Sequence, residues 1–586
     1  GNAYTIVIAN GDATGSTASE FTSINGKTTV AIDASAVTGL ASDNISNINT
    51  LLTAGNDTNQ FTSTSFGSLT GVTVSDTTLN GATLASAIDQ ANIATGDTSV
   101  VFTITAADEI QGTEGNFTDL LADEGNSQIS ITDQNINVNS GTLTVDNANL
   151  LGTTTSGKVT ATIATTETVT ELATLNADGG TNDLTIVIRG ADATAATAAQ
   201  LNTINDATAL AVDLTNVTGL AGSTLADLGT LATAITNNQF SNDTGITTIA
   251  VTDTTIDATT LLERIDSYDT INAGGTTDMT LASGATINLD ASEITDMLAD
   301  ETANRLTISD QAITVNSAGT ISVDTANLLE ATTSGVITAS ITTTETVDEL
   351  QTLTGTGNAY TIVIANGDAT GSTAAEFNSI NGKTTVAVNL TNVTALAGSS
   401  LADLGTLATA IEANEFSNAT GLTTIAVTDT TIDATTLATR IDSYDSINGE
   451  GATTDMTLAS GATINVDAGE VTHMLADETA GRLTIGDQLI TVTGAITVDN
   501  SNLLAATTSG KLTATIDTSE TVTELATLSA DGGTNDLTIA IRAADATAAT
   551  AAQLNTINAA TALAVDLTNV TALAGSSLAD LGTLAT

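Results

Sequence analysis

Short alternating apolar runs punctuate the chain: TIVIA from Thr361, TVAV from Thr385, TIAV from Thr424, LTI from Leu483 and TATI from Thr513. Alternation of β-branched and small residues over four or five positions predicts short strands. After each run comes a Ser, Thr or Asp with an acid close behind, then apolar residues three or four apart. Between Thr518 and Leu528, the side chains of Val522, Leu525 and Leu528 share one helical face. Thr518 or Ser519 is placed to cap it, with Glu520 and Glu524 at its positive end, which predicts a helix of two to three turns. Gly and Asn close the units, as in NSING ending at Gly382 and TTSG ending at Gly510. The tract LTIGDQLITVTGAITVD from Leu483 has several strand-like runs and reads as nearly all β.

The pattern itself repeats. GNAYTIVIANGDATGSTA from Gly1 returns from Gly357, and the Glu167 and Glu520 copies of TETVTELATL lie 353 residues apart. DTTIDATTL at Asp253 returns 176 residues later at Asp429, and EITDMLADET at Glu293 returns as EVTHMLADET at Glu470, an offset of 177. Within one such period, units begin near Tyr360, Lys383, Leu422, Met456, Leu483 and Lys511, before the next at Leu537. Their mean length is about 30 residues, in the range of stacked repeats, where each unit buries its neighbour's apolar face. The expected fold is a β-solenoid with short helices and parallel strands, six coils to a super-repeat. Its super-repeats are 1–181, 182–356, 357–534 and a partial copy, 535–586. Tandem immunoglobulin-like modules fit less well, because they need about 100 residues and seven strands with no helical phase. Thr586 aligns with Thr233 inside a helix-like run and Gly1 with the interior Gly357, so neither edge reads as a cap. The expectation is a segment of a longer array, or terminal coils that abut neighbouring chains.

Composition narrows the function classes. The 586 residues include no Cys, Pro or Trp, and 67 acidic against 10 basic side chains give a net charge of -57. That charge repels phosphate backbones and anionic lipid, excluding nucleic acid as a partner and adsorption to acidic membranes. No apolar run reaches the ~20 residues of a membrane-spanning helix, which speaks against membrane insertion. With 41% hydrophobic and 13% charged residues, the chain is too apolar for an acidic disordered tail and is expected to fold. Absence of Cys removes disulfides and thiol catalysis together.

His473 is the single histidine and occupies the slot held by Asp296 one period earlier, which reads as a surface substitution. All ten basic residues fall in repeat-equivalent pairs: Lys27 with Lys383, Lys158 with Lys511, Arg189 with Arg542, Arg264 with Arg440, and Arg305 with Arg482. An active site needs one copy of a cation, so paired recurrence predicts structural ion pairing. No P-loop, HExxH, GxSxG or EF-hand pattern is present. Nor does a unique carboxylate cluster break the repeat symmetry, and a non-enzyme is expected. The best chemical signal is a loop before a strand. Asp178-Gly-Gly-Thr-Asn-Asp183 returns as Asp531-Gly-Gly-Thr-Asn-Asp536, with related loops ending at Asp278 and Asp455. Hard oxygen donors and glycines suit calcium, the one cofactor considered, with Asp178, Asp183, Asp278, Asp455, Asp531 and Asp536 as ligands. The same residues also suit a tight turn in which Asp caps backbone amides. Thr-rich strands suggest a lattice-matching face for ice or carbohydrate, but no strict TxT column persists from unit to unit.

Taken together, TIVIANGDATGSTAAEF, TETVTELATL and DTTIDATTLATRIDSYDSI resemble the repeats of giant acidic, Cys-free bacterial cell-surface and extracellular matrix proteins, including marine and cyanobacterial ones. The resemblance implies an extracellular or cell-surface location and a part in adhesion, surface layers or matrix fibres. The DGGTND loop is similar to the calcium nonapeptide of secreted repeats-in-toxin proteins, but lacks its second glycine spacing and its nine-residue period. The functional expectation is a structural repeat protein that forms a stiff rod or fibre and self-associates end to end. The alternative is a calcium-dependent adhesin, or a surface protein whose partner is a glycan or another cell.

Overall fold

The computed structural model describes residues 2–9, 14–105, 109–176, 181–449, 453–529 and 534–586. The chain forms two compact units, one of Gly1–Ala285 with Thr295–Ile308, the other of Thr286–Ile294 with Ser309–Thr586. The described residues contain 20 α-helices and eight small parallel sheets of two to five strands, in an alternating α/β order. This corrects the expected β-solenoid with short helices. The strands are parallel, but they close into no single coil or barrel, and helices are the longer elements. Runs such as Leu225–Thr236 and Ala434–Asn448 make helices of 12 and 15 residues. Strands such as Thr248–Val251 stop after 4 residues. The physical reason lies in spacing. Ala- and Leu-rich segments with apolar residues three and four apart bury a full helical stripe, while Thr, Asn and Gly turns cut each β run short.

Two local expectations change as well. The helix after Thr518 is a single turn, Val522–Leu525, capped by Thr521 in a capping box with Glu524. Ser519 instead belongs to the preceding turn, where its N–H donates to the Asp517 carboxylate at 2.8 Å. The tract from Leu483 does hold two strands, Leu483–Thr484 and Leu489–Ile496, but a 10-residue helix, Val498–Thr507, follows at once.

Register explains the core. In the first unit, Leu220, Ile249, Met279 and Leu306 stand side by side on four successive parallel strands. In the second unit Leu396, Ile425, Met456 and Leu483 do the same. All eight are buried. A second register column in the second unit runs Ile432, Ile464, Ile490, Leu512. Each fully buried aliphatic side chain contributes roughly 1.5–3 kcal/mol.

The helices are tied at their starts. Thr, Ser, Asn or Asp caps almost every described helix, and Thr17, Thr113, Thr168, Thr197, Thr346, Thr373, Thr521 and Thr550 form full capping boxes. In many of the helices the first N–H also donates to a side chain of the following repeat. Leu225 N–H reaches Asp253 at 2.8 Å, Leu401 reaches Asp429 at 2.7 Å, and Val169 and Val522 reach Asp192 and Asp545, both at 2.8 Å. Ser223 and Ser399 play the same part for Ala198 and Ala374, each at 2.9 Å. These oxygens satisfy donors that no intrahelical carbonyl can reach, and the carboxylates also lie at the positive helix end.

The glycine that closes each TTSG tract has a steric reason. A Cβ on Gly157, Gly335 or Gly510 would stand 2.3 Å from the carbonyl oxygen of Gln134, Gln311 or Gln488 respectively. The obstacle is backbone, so it cannot swing aside. Gly335→Ala is expected to lose about 1–3 kcal/mol in urea unfolding. Gly367→Ala, where nothing lies within 4 Å, should change stability by less than about 0.5 kcal/mol. Equal effects at the two positions would contradict this account.

Candidate functional site

The loop carboxylates are the first sites to place. Asp178 and Asp531 lie outside the described residues. Asp183 opens the strand Asp183–Thr185 and accepts from Lys158 Nζ at 2.5 Å. Its repeat equivalent Asp536 pairs with Lys511. Asp278 and Asp455 open strands too, and each accepts a threonine hydroxyl from the neighbouring strand, Thr307 at 2.9 Å and Thr484 at 2.8 Å. The structure thus gives each of these four its own partner and does not gather them. Among the described residues no group of three or more His, Asp or Glu side chains could hold a metal ion.

The basic residues follow repeat symmetry. Arg189 Nε donates to Asp192 at 2.8 Å and Arg542 Nε to Asp545 at 2.9 Å, the same carboxylates that cap Val169 and Val522. Their Nη1 atoms reach the carbonyls of Thr166 and Ser519, at 3.0 and 2.9 Å. Arg264 and Arg440 lie across Gly229 and Gly405 of the preceding helix, and their Nε atoms donate to the carbonyls of Leu225 and Leu401 at 3.2 and 3.0 Å. One turn on, the buried hydroxyls of Tyr268 and Tyr444 donate to the carbonyls of Leu228 and Leu404 at 3.2 and 3.1 Å. A mid-helix glycine costs about 1 kcal/mol of helix propensity; here it leaves room for the guanidinium. Lys27 and Lys383 form no ion pair among the described residues.

The most concentrated charge is an Asp–Arg–Asp node. Arg305 reaches Asp269 at 2.8 Å and Asp266 at 3.6 Å, and also binds Asp300, which is buried. One period later Arg482 meets Asp445 at 3.0 Å, Asp442 at 3.7 Å, and Asp477. Burial raises the Asp300 and Asp477 carboxyls above the usual range, and the guanidinium opposes that rise. Arg305 and Arg482 are held charged, chiefly by the hydrogen bonds to Asp269 and Asp445.

The first super-repeat carries a neutral version that the sequence reading missed. Gln128 stands in the arginine slot and Asn92 in the slot of Asp269, and the two amides bond to each other at 2.5 and 3.3 Å. Both ends differ together, so an amide pair stands where the other copies have an ion pair. Laying residues 116–131 over 293–308 shows the exchange, since QISI stands where RLTI does. The third member, Asp123, kept its carboxylate without the guanidinium. Burial, and then the charges of Asp89 and Asp119, push it up to about 6. A carboxyl so raised is of the kind that acts as an acid or base in enzymes, but burial raises Asp300 and Asp477 too, and at Asp123 no arginine opposes the rise.

Two of the open grooves also recur. One of about 550 Å³ is lined by Asn202, Gly229, Thr233 and Arg264, and one of about 530 Å³ by the equivalent Asn378, Gly405, Thr409 and Arg440. Repetition marks both as products of the helix packing.

Asp123 has a testable consequence. Its folded value lies above the ordinary one, so the folded chain binds a proton more tightly between pH of about 4 and about 6, and stability falls as pH rises through that window. Asp123→Asn should raise the melting temperature at neutral pH and leave it unchanged at a pH of about 3.5. Asp300→Asn, which strips a buried partner from Arg305, should lower the melting temperature at neutral pH. Melting curves at the two pH values decide the matter, and a neutral-pH loss in both variants would contradict the assignment.

In sequence comparison the chain matches no protein-family model and no curated protein, so a functional reading rests on the contacts between its own repeats.

Proposed function

We propose that this chain is a non-catalytic structural repeat protein of the extracellular or cell-surface kind, one whose product is a folded, highly charged repeat surface. The observation that carries the reading is the fate of its cations. Four of the five repeat-equivalent basic pairs make the same structural contact in both copies, with a carboxylate or a helix carbonyl. Catalysis calls for one unique constellation; these constellations come in duplicate. Among the described residues no helix is long and apolar enough to cross a membrane. The net charge of -57 keeps such a surface hydrated and resists lateral clumping. End-to-end self-association belongs to this reading as its mode of assembly.

Two measurements test it. Self-repulsion predicts that the melting temperature rises as the Debye length shrinks from about 30 Å at 0.01 M salt to about 8 Å at 0.15 M. Sedimentation velocity in calcium and in chelator reads assembly. Fast-sedimenting species that disperse at low protein concentration are expected, with helix content unchanged by chelator. A single monomer boundary under every condition would remove the assembly from the proposal.

A further inference from the structure

The three super-repeats fill the space between two successive helices differently. One position of the first helix holds Ala85, Leu262 and Ala438 in turn, and a position near the start of the next holds Phe117, Ile294 and Val471. The first copy joins a small residue to Phe, the second joins two large ones, and only the third is small at both. In that third copy a cavity of about 200 Å³ lies between the helices Ala434–Asn448 and Val471–Thr479. Its floor is apolar and buried, formed by Leu437, Ile441, Met474 and Leu483.

The rim is polar, and one of its residues is specific to this copy. His473 stands there in place of Asp119 and Asp296, about half exposed. Its Nδ1 lies 3.8 Å from Asp477, which Arg482 already binds. Asp442 and Glu470 complete the rim. Asp442 is mostly exposed and 3.7 Å from Arg482, while Glu470 accepts the Thr435 hydroxyl across one end. The result is a greasy floor beneath carboxylates that no cation fully neutralises.

We propose that this cavity binds a small branched aliphatic primary amine. At about 30 Å³ for each water, the volume corresponds to six or seven waters, which suits a body of four or five carbons. That body gains by leaving water for Leu437, Ile441 and Met474, while the ammonium faces Asp442 and Glu470, where charge-assisted hydrogen bonds are strong. An alcohol of the same shape would lose the charge, and a carboxylate would meet repulsion. The site is independent of the structural role argued above.

The sole histidine is a built-in reporter, because the full chain gives one imidazole Cε1–H resonance. Titration with 3-methylbutylamine should move that resonance saturably. 3-Methylbutanol should bind at least about tenfold more weakly, a loss near 1.4 kcal/mol, and 3-methylbutanoate should not bind. Ala438→Leu introduces the residue the second super-repeat already carries, and should abolish the shift while the melting temperature holds. The proposal is overturned by an unmoved resonance, by equal binding of the alcohol or the acid, or by an undiminished amine shift in folded Ala438→Leu. Should that variant fail to fold, the three-probe series decides alone.

Discussion

Everything in this structure depends on how a helix begins. Each short helix exposes N–H groups that its own carbonyls cannot satisfy, and in many of these helices an oxygen of the following repeat accepts from the first. Asp253 does this for Leu225 and Asp429 for Leu401, with Ser223 and Ser399 serving Ala198 and Ala374. The bond fixes the helix and, in the same step, fixes the next unit against it. Local capping by Thr or Ser then accepts from a further N–H in the first turn, as Thr224 does from Asp227 and Ser400 from Asp403.

That constraint shapes the electrostatics. Carboxylates are stabilised at helix starts by dipoles and N–H groups, so many need no cation. Two of the ten cations stand where several carboxylates converge, as Arg305 does among Asp266, Asp269 and Asp300. Where a copy has no cation, the packed partner differs with it: Gln128 and Asn92 stand in place of Arg and Asp as a pair. The carboxylate left behind, Asp123, carries the cost as a raised proton affinity. Divergence between copies is therefore constrained by contacts, and the exceptions, such as the under-filled space beside Ala438, are informative for that reason.

Packing also shows why glycine recurs. Gly157, Gly335 and Gly510 admit a neighbouring backbone, and Gly229 and Gly405 admit an arginine. Neither purpose is visible in local sequence, where both kinds read as turn or helix-breaking residues.

Much of the architecture was legible in the chain alone. Short strands, Thr-capped helices and a long internal period follow from spacing, because alternation and three-four periodicity are properties of neighbouring residues. The proportions were not. Ala- and Leu-rich runs lengthened into helices, and the strands divided into eight small sheets, since tertiary burial decides between propensities of similar strength. The candidate site divides the same way. Sequence marked the paired cations and the Asp loops, while only the fold assigned Asp183 to Lys158, Asp278 to Thr307 and Arg305 to three carboxylates. Apart from Asp300, which is 5 residues from Arg305, those partners stand 25 to 39 residues apart. A partner at that separation is chosen by how successive repeats pack, through strand register for Asp278 and Thr307 and through helix placement for Asp269 and Arg305, which is a tertiary quantity.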